Sequence, residues 1–236
     1  MSNPDPRLPP HVEAILLDAG GVLLDLDFGY LRRLIEAKHS DLGNPDLARA
    51  EAMARREINR TVLAGARISE KWRDYFRILL REAGVPAESY EVIIDSLWSA
   101  HQRVGLWTAV AEGAPEAVSA LGQRGFRLGV VSNAEGHVER DLRGAGFEGV
   151  FETVIDSHIV GVEKPDPAIF EIALERMKLN RETTIFVGDL PSVDVEGARA
   201  AGLGAVLLDR HDVYADIDVP RIRSLAELPA LLQTED

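Results

Sequence analysis

The sequence contains no cysteine among its 236 residues. That excludes disulfides and every metal site built on thiolates. Histidine is sparse as well: His11, His39, His101, His137, His158 and His211 are scattered, with none of the short spacings of a zinc centre. No apolar run approaches the roughly 18 residues that a membrane-spanning helix needs. Residues 1–10 carry Pro4, Pro6 and Pro9 among polar neighbours and read as a loose tail, not a signal peptide. Positive charge is also short, with 26 Lys and Arg against 39 Asp and Glu and a net charge of -13. Such a surface argues against nucleic acid and anionic membranes as partners. A small anionic substrate would need local positive charge or a metal to be held. The expectation is a cytoplasmic protein with a real core, because 46% of its residues are hydrophobic.

One stretch organises the chain. Ala14-Ile15-Leu16-Leu17 runs straight into Asp18, which is followed by Ala19, Gly20 and Gly21. A short apolar run bounded by turn residues fits a strand buried on both faces of a parallel sheet. Open α/β sheets bind their ligands at the carboxyl ends of such strands, and Asp18 sits at one.

The period then changes. From Asp27 to about Arg103 four amphipathic helical stretches are expected, and no strand. Phe28, Leu31, Leu34 and Ile35 lie on one face of the first; Leu47, Ala50, Ala54, Ile58 and Val62 mark the second, over about 46–63. Ser69 is the expected cap of the third, with Trp72, Tyr75, Phe76, Leu79 and Leu80 as its stripe. The fourth carries Tyr90, Ile93, Ile94, Leu97, Trp98 and His101, the histidine reading as a packing residue. From Trp107 strands and helices alternate, which implies right-handed crossovers and a parallel sheet. The fold class is therefore α/β, with a discontinuous core at 1–26 and 107–236 and an inserted helical domain at 27–106.

Three more sites fall at predicted strand ends or in the loops after them. Ser132 closes an apolar strand and Asn133 follows, where backbone N–H groups and a hydroxyl can hold an anion. Lys164 stands in Gly161-Val162-Glu163-Lys164-Pro165-Asp166-Pro167, just ahead of a helix. Asp189 ends another strand, with Asp194 five residues on. Each has an ordinary reading as a cap or a surface charge. Together they supply a carboxylate nucleophile, oxygen ligands for Mg²⁺, a cation for phosphoryl oxygens and a small donor, which is what phosphoryl transfer requires.

On these motifs the sequence resembles the haloacid dehalogenase superfamily, in the form with a Rossmann-like core and a helical cap inserted after the first strand. The resemblance implies a Mg²⁺-dependent phosphatase of a small phosphorylated metabolite. Asp18 would be nucleophile and metal ligand, Ser132, Asn133 and Lys164 would hold the phosphoryl group, and Lys164 would also orient Asp18. The metal would be bound by Asp18, Asp189, Asp194 and the backbone carbonyl of Gly20. The same fold also carries haloacid dehalogenases, which need no metal, and phosphonate hydrolases, for which Lys38 and Lys71 are the available cap lysines. One departure stands out. Family phosphatases usually have an aspartate two residues after the nucleophile as general acid and base, and here that position is Gly20. Asp25 or Asp27, in Asp25-Leu26-Asp27-Phe28, is the candidate substitute; a non-catalytic binding protein is the reading if nothing substitutes.

Overall fold

The computed structural model describes residues 7–64 and 71–232. The expected cap Ser69 lies outside the described residues, as does most of the proline-bearing tail. The chain divides into two compact units, one of Met1–Asp25 with Ala109–Asp236, the other of Leu26–Thr108.

The strands in chain order are β1 (Ala14–Leu17), β2 (Leu24–Leu26), β3 (Trp107–Val110), β4 (Arg127–Ser132), β5 (Thr153–Asp156), β6 (Thr184–Gly188), β7 (Gly204–Leu208) and β8 (Arg221–Ile222). Six of them form one sheet in the order β5-β4-β1-β6-β7-β8. Every neighbouring pair in it is parallel. β1 occupies the middle because all four of its side chains are apolar and nothing in it has to reach water. Its register sets Leu17 beside Val130 on one side and Val187 on the other. The residues that follow those strands, including Asp18 and Asp189, therefore emerge side by side at one edge of the sheet.

Helices flank this sheet: α5 (Ala114–Gln123), α6 (Val138–Gly144), α7 (Ser157–Val160), α8 (Ala168–Met177), α9 (Glu196–Ala200) and α10 (Leu228–Leu231). One core cluster joins Leu16, Val131, Ile155, Phe170, Phe186 and Leu207 from strands and α8. Phe170 and Phe186 meet edge to face at 5.0 Å, and full burial of such a side chain is worth about 1.5–3 kcal/mol. Packing is tight enough that Gly129 in β4 admits no side chain: a Cβ there would stand 2.7 Å from Met177 Sδ and 2.9 Å from Leu16 Cδ2.

The second unit holds α1 (Phe28–Glu36), α2 (Leu47–Leu63), α3 (Trp72–Glu82) and α4 (Tyr90–Val104). Asp27 and Asp46 cap the first two, accepting from the backbone N–H groups of Tyr30 at 2.8 Å and Arg49 at 3.0 Å. Trp72, Trp98, His101 and Trp107 share one aromatic cluster, His101 stacking on Trp72 with ring centroids 5.6 Å apart. His101 is thus a packing residue; Trp98, expected on the buried stripe, leaves 39% of its surface exposed. Among the described residues no helix is long and apolar enough to cross a membrane.

Two elements differ from the periodicity. β2 and β3 are strands that the sequence pattern does not announce, and they pair into a two-stranded ribbon. Both divisions between the units fall within this ribbon, so the chain leaves one unit and re-enters it along adjacent strands. Leu24–Leu26 is too short, and Trp107–Val110 too exposed, to leave an alternating signature.

Candidate active site

Asp18 follows β1 directly. Its carboxylate is held at both oxygens: Oδ1 accepts from the N–H of Ala19 at 2.7 Å, and Oδ2 lies 2.8 Å from Lys164 Nζ. The Ser132 hydroxyl, from the end of β4, donates a further hydrogen bond to it. The turn beyond is closed by the carbonyl of Ala19, which accepts from Leu23 at 2.9 Å and Leu24 at 2.8 Å. The left-handed backbone that this turn requires falls at Gly21, with φ 78°.

Lys164 is completely buried, and its Nζ bridges two carboxylates, Asp18 Oδ2 and Asp194 Oδ1, each at 2.8 Å. The Phe186 ring centroid lies 4.9 Å from the same ammonium, a cation–π contact that also favours the charged form. Asn133 fixes the Lys164 main chain from both ends. Its Nδ2 donates to the Lys164 carbonyl at 2.9 Å and its Oδ1 accepts from the Lys164 N–H at 2.8 Å. The side chain expected to hold phosphate is therefore committed to Lys164.

Asp189 follows β6, and Asp194 lies in a wide π-type helical turn, Pro191–Val195, rather than at the start of a regular helix. Asp194 Oδ2 accepts from the N–H groups of Asp189 at 2.9 Å and Leu190 at 2.8 Å. Gly188 makes this possible, because a Cβ there would sit 2.3 Å from Asp194 Cβ. One carboxylate oxygen from each of Asp18, Asp189 and Asp194 lies within 4.8 Å of the others.

The electrostatics follow from that count. Burial pushes the Asp18 carboxyl above its ordinary range, against the pull of Lys164, and the neighbouring Asp194 charge pushes it further. Burial would lower Lys164, but the two carboxylates outweigh it and hold the ammonium above its ordinary range. Acid is under-compensated and base over-compensated: Asp18 and Asp194 share one ammonium, and the Asp189 carboxylate stands close to both. Two negative charges remain, on hard oxygen donors with no sulfur or imidazole among them. That donor set fits a divalent cation of the Mg²⁺ kind. Of the two carboxylates on Lys164, Asp18 keeps 13% of its side chain exposed and Asp194 only 1%, so Asp18 is the one a substrate can reach.

The proposed stand-ins for a general acid are otherwise engaged. Asp25 Oδ1 is paired with Arg210 Nη1 at 2.6 Å, and Asp27 is the α1 cap. Lys71, one of the two available cap lysines, is 3.2 Å from Asp74.

One residue escaped the sequence reading. Asp156 ends β5, register partner of Ser132, and is 98% buried. Its carboxylate accepts from the N–H groups of Gly136 (2.9 and 3.0 Å), Val138 (3.3 Å) and His158 (3.0 Å). Nothing in sequence connects it with residues 136 and 138; the only signal was a carboxylate at the end of a predicted strand, the same signal that singled out Asp18 and Asp189.

A parallel sheet whose strand ends bring together three carboxylates and a buried lysine defines an α/β enzyme with an acidic, oxygen-donor centre. The family follows from comparison: a model of the haloacid dehalogenase-like hydrolases matches residues 12–202, and the chain belongs to that family. Mouse haloacid dehalogenase-like hydrolase domain-containing protein 3 is 33% identical over 169 residues, 70% of this chain and 67% of that protein. The phosphoserine phosphatase of Thermus thermophilus is 36% identical over 139 residues, 57% of this chain; the match spans about half of the phosphatase, 53%. In fold, the chain is similar to Bacillus subtilis YfnB, a protein described with bound magnesium, at a TM-score of 0.66 and 23% identity over 95% of this chain and all (100%) of that one.

Proposed function

We propose that this hydrolase is a Mg²⁺-dependent phosphatase of a small phosphorylated metabolite, with Asp18 as its nucleophile. The observation that carries the reading is the Lys164 ammonium bridging Asp18 and Asp194 inside a cluster of three carboxylates. A phosphatase among the relatives supports it. Asp18, Asp189, Asp194 and the carbonyl of Gly20 would hold the cation, which when bound neutralises charge on the phosphoryl oxygens.

An Asp18 oxygen attacks phosphorus, the bond to the leaving oxygen breaks, and an acyl phosphate remains on Asp18. Lys164 and Ser132 hold the phosphoryl oxygens as charge shifts among them. Water then attacks that phosphorus, releasing inorganic phosphate and restoring the carboxylate. The leaving oxygen must take up a proton, and Gly20 offers no side chain to supply one. Positioned acid catalysis contributes about 10²–10⁴-fold, so aryl, acyl and anomeric phosphates should turn over much faster than primary alkyl phosphates.

A screen of these four classes with Mg²⁺ and with a chelator tests the proposal. Chelator-sensitive release of phosphate is the expected result. Hydrolysis indifferent to the chelator, or dechlorination of 2-chloro acids without metal, overturns it; no turnover in any class favours a binding protein.

A further inference from the structure

We infer that Asp156 is a positioning residue for the reaction: through the loop after β4 it sets the Asn133 clamp that holds Lys164. The inference rests on the phosphatase reading above and adds to it a residue on the strand beside Ser132.

A carboxylate buried to this degree is costly unless it is well paired. Among the described residues Asp156 forms no ion pair; it is stabilised by backbone N–H groups instead, two of them from the 136–138 segment. Its neighbour Ser157 grips the same loop one step earlier, its Oγ accepting from the Ala134 N–H at 3.1 Å and donating to the Ala134 carbonyl at 3.2 Å. Asn133 stands between these anchors and Ser132, and both its amide bonds go to Lys164. A continuous hydrogen-bonded path therefore runs from the end of β5, through residues 133–138, to the main chain of the lysine that bridges Asp18 and Asp194.

A carboxylate is needed here, not merely a polar group. The Gly136 N–H is shared by Oδ1 and Oδ2, the His158 N–H goes to Oδ1 and the Val138 N–H to Oδ2. All the bonds are accepted, on both oxygens. An asparagine would turn an NH₂ group toward one of these N–H donors, and the loop would have to shift.

The test is kinetic and uses the full chain. Asp156→Asn should lower kcat about 10–100-fold, the cost of a small misplacement at a reacting centre, and should weaken competitive inhibition by inorganic phosphate about tenfold. Asn133→Ala should do the same, and the double variant should be no worse than the poorer single one, since both changes act on one clamp. Ser157→Ala, which removes one hydroxyl, should show a smaller loss in the same direction and covers the case in which Asp156→Asn does not fold. A fully active, phosphate-inhibited Asp156→Asn with a lowered melting temperature would make Asp156 a structural residue only. Multiplicative losses in the double variant would also overturn the inference. An inactive wild type is a different result, because it removes the phosphatase reading itself.

Discussion

Replacing Gly188 by alanine tests the geometry of the three-carboxylate cluster without touching a charged group. The new Cβ would lie 2.3 Å from Asp194 Cβ, 2.4 Å from its Cγ and 2.5 Å from Oδ2. Carbon atoms rest at about 3.5–4.0 Å, so strand or aspartate must give way by about 1 Å or more. Asp194 has little freedom to do so, since Oδ2 holds two backbone N–H groups and Oδ1 faces Lys164. A hydrogen bond to a charged group is worth about 1.5–3 kcal/mol, so loss of both would cost about 3–6 kcal/mol before relaxation recovers a part. We expect a net loss of about 3 kcal/mol, which for a chain of this size lowers Tm by about 6–12 °C. Activity should drop about 10²-fold, because the displaced carboxylate carries Lys164 with it. The matching control is Gly122→Ala in α5, where an added Cβ meets nothing within 4 Å; there the same substitution should be neutral or stabilise by about 0.5–1 kcal/mol. Thermal unfolding and kcat on one aryl phosphate read both variants. If Gly188→Ala behaves like Gly122→Ala in both assays, the argument from close approach is wrong.

Asp18→Asn should abolish turnover and keep a native melting curve, because an amide cannot form the acyl phosphate; residual hydrolysis in a folded variant would remove Asp18 from the mechanism. Asp189→Asn should raise the Mg²⁺ concentration needed for half-maximal activity by removing a charged hard ligand, read by metal titration, with an unchanged requirement as the contrary result. Gly20→Asp should speed primary alkyl phosphates more than aryl ones, and since the left-handed turn is made at Gly21, the backbone at position 20 should accept the side chain. Equal rates for both substrate classes before and after that change would show that the missing acid is not limiting. In the helical unit, hydrogen bonds from Arg77 and then Arg73 hold the Glu91 carboxyl down at about 2. A lowered folded-state value means that its contribution is complete above the unfolded range near 4.5 and is lost as pH falls toward 2. Urea midpoints of Glu91→Gln should therefore trail the wild type at pH 7, with the gap closing between pH 4.5 and 2; a gap independent of pH would contradict this.

The parts of the fold that depend on local pattern are legible in the sequence itself. The apolar β1 ending in Asp18, the strands before Ser132 and Asp189, and the helical stripes of Leu47–Leu63 and Tyr90–Val104 all carry their own periodicity. What could not be read depends on contacts far apart in sequence. The second use of Asn133, as a clamp on Lys164, spans 31 residues, and the hold of Asp156 on Gly136 spans 20. The Asp25–Arg210 pair spans 185. A carboxylate at a strand end looks the same in sequence whether it faces an ion, an arginine or a row of backbone amides.

The β2–β3 ribbon has a consequence for how such a chain can be altered. Both ends of the Leu26–Thr108 unit lie on hydrogen-bonded neighbouring strands, about 4.8 Å apart by ordinary strand spacing. A tight turn spans that gap as readily as four helices do. The whole segment is thus a cassette: recombination that trades it for another of any length, provided the new ends are close together, leaves the register of β1 against β4 and β6 undisturbed.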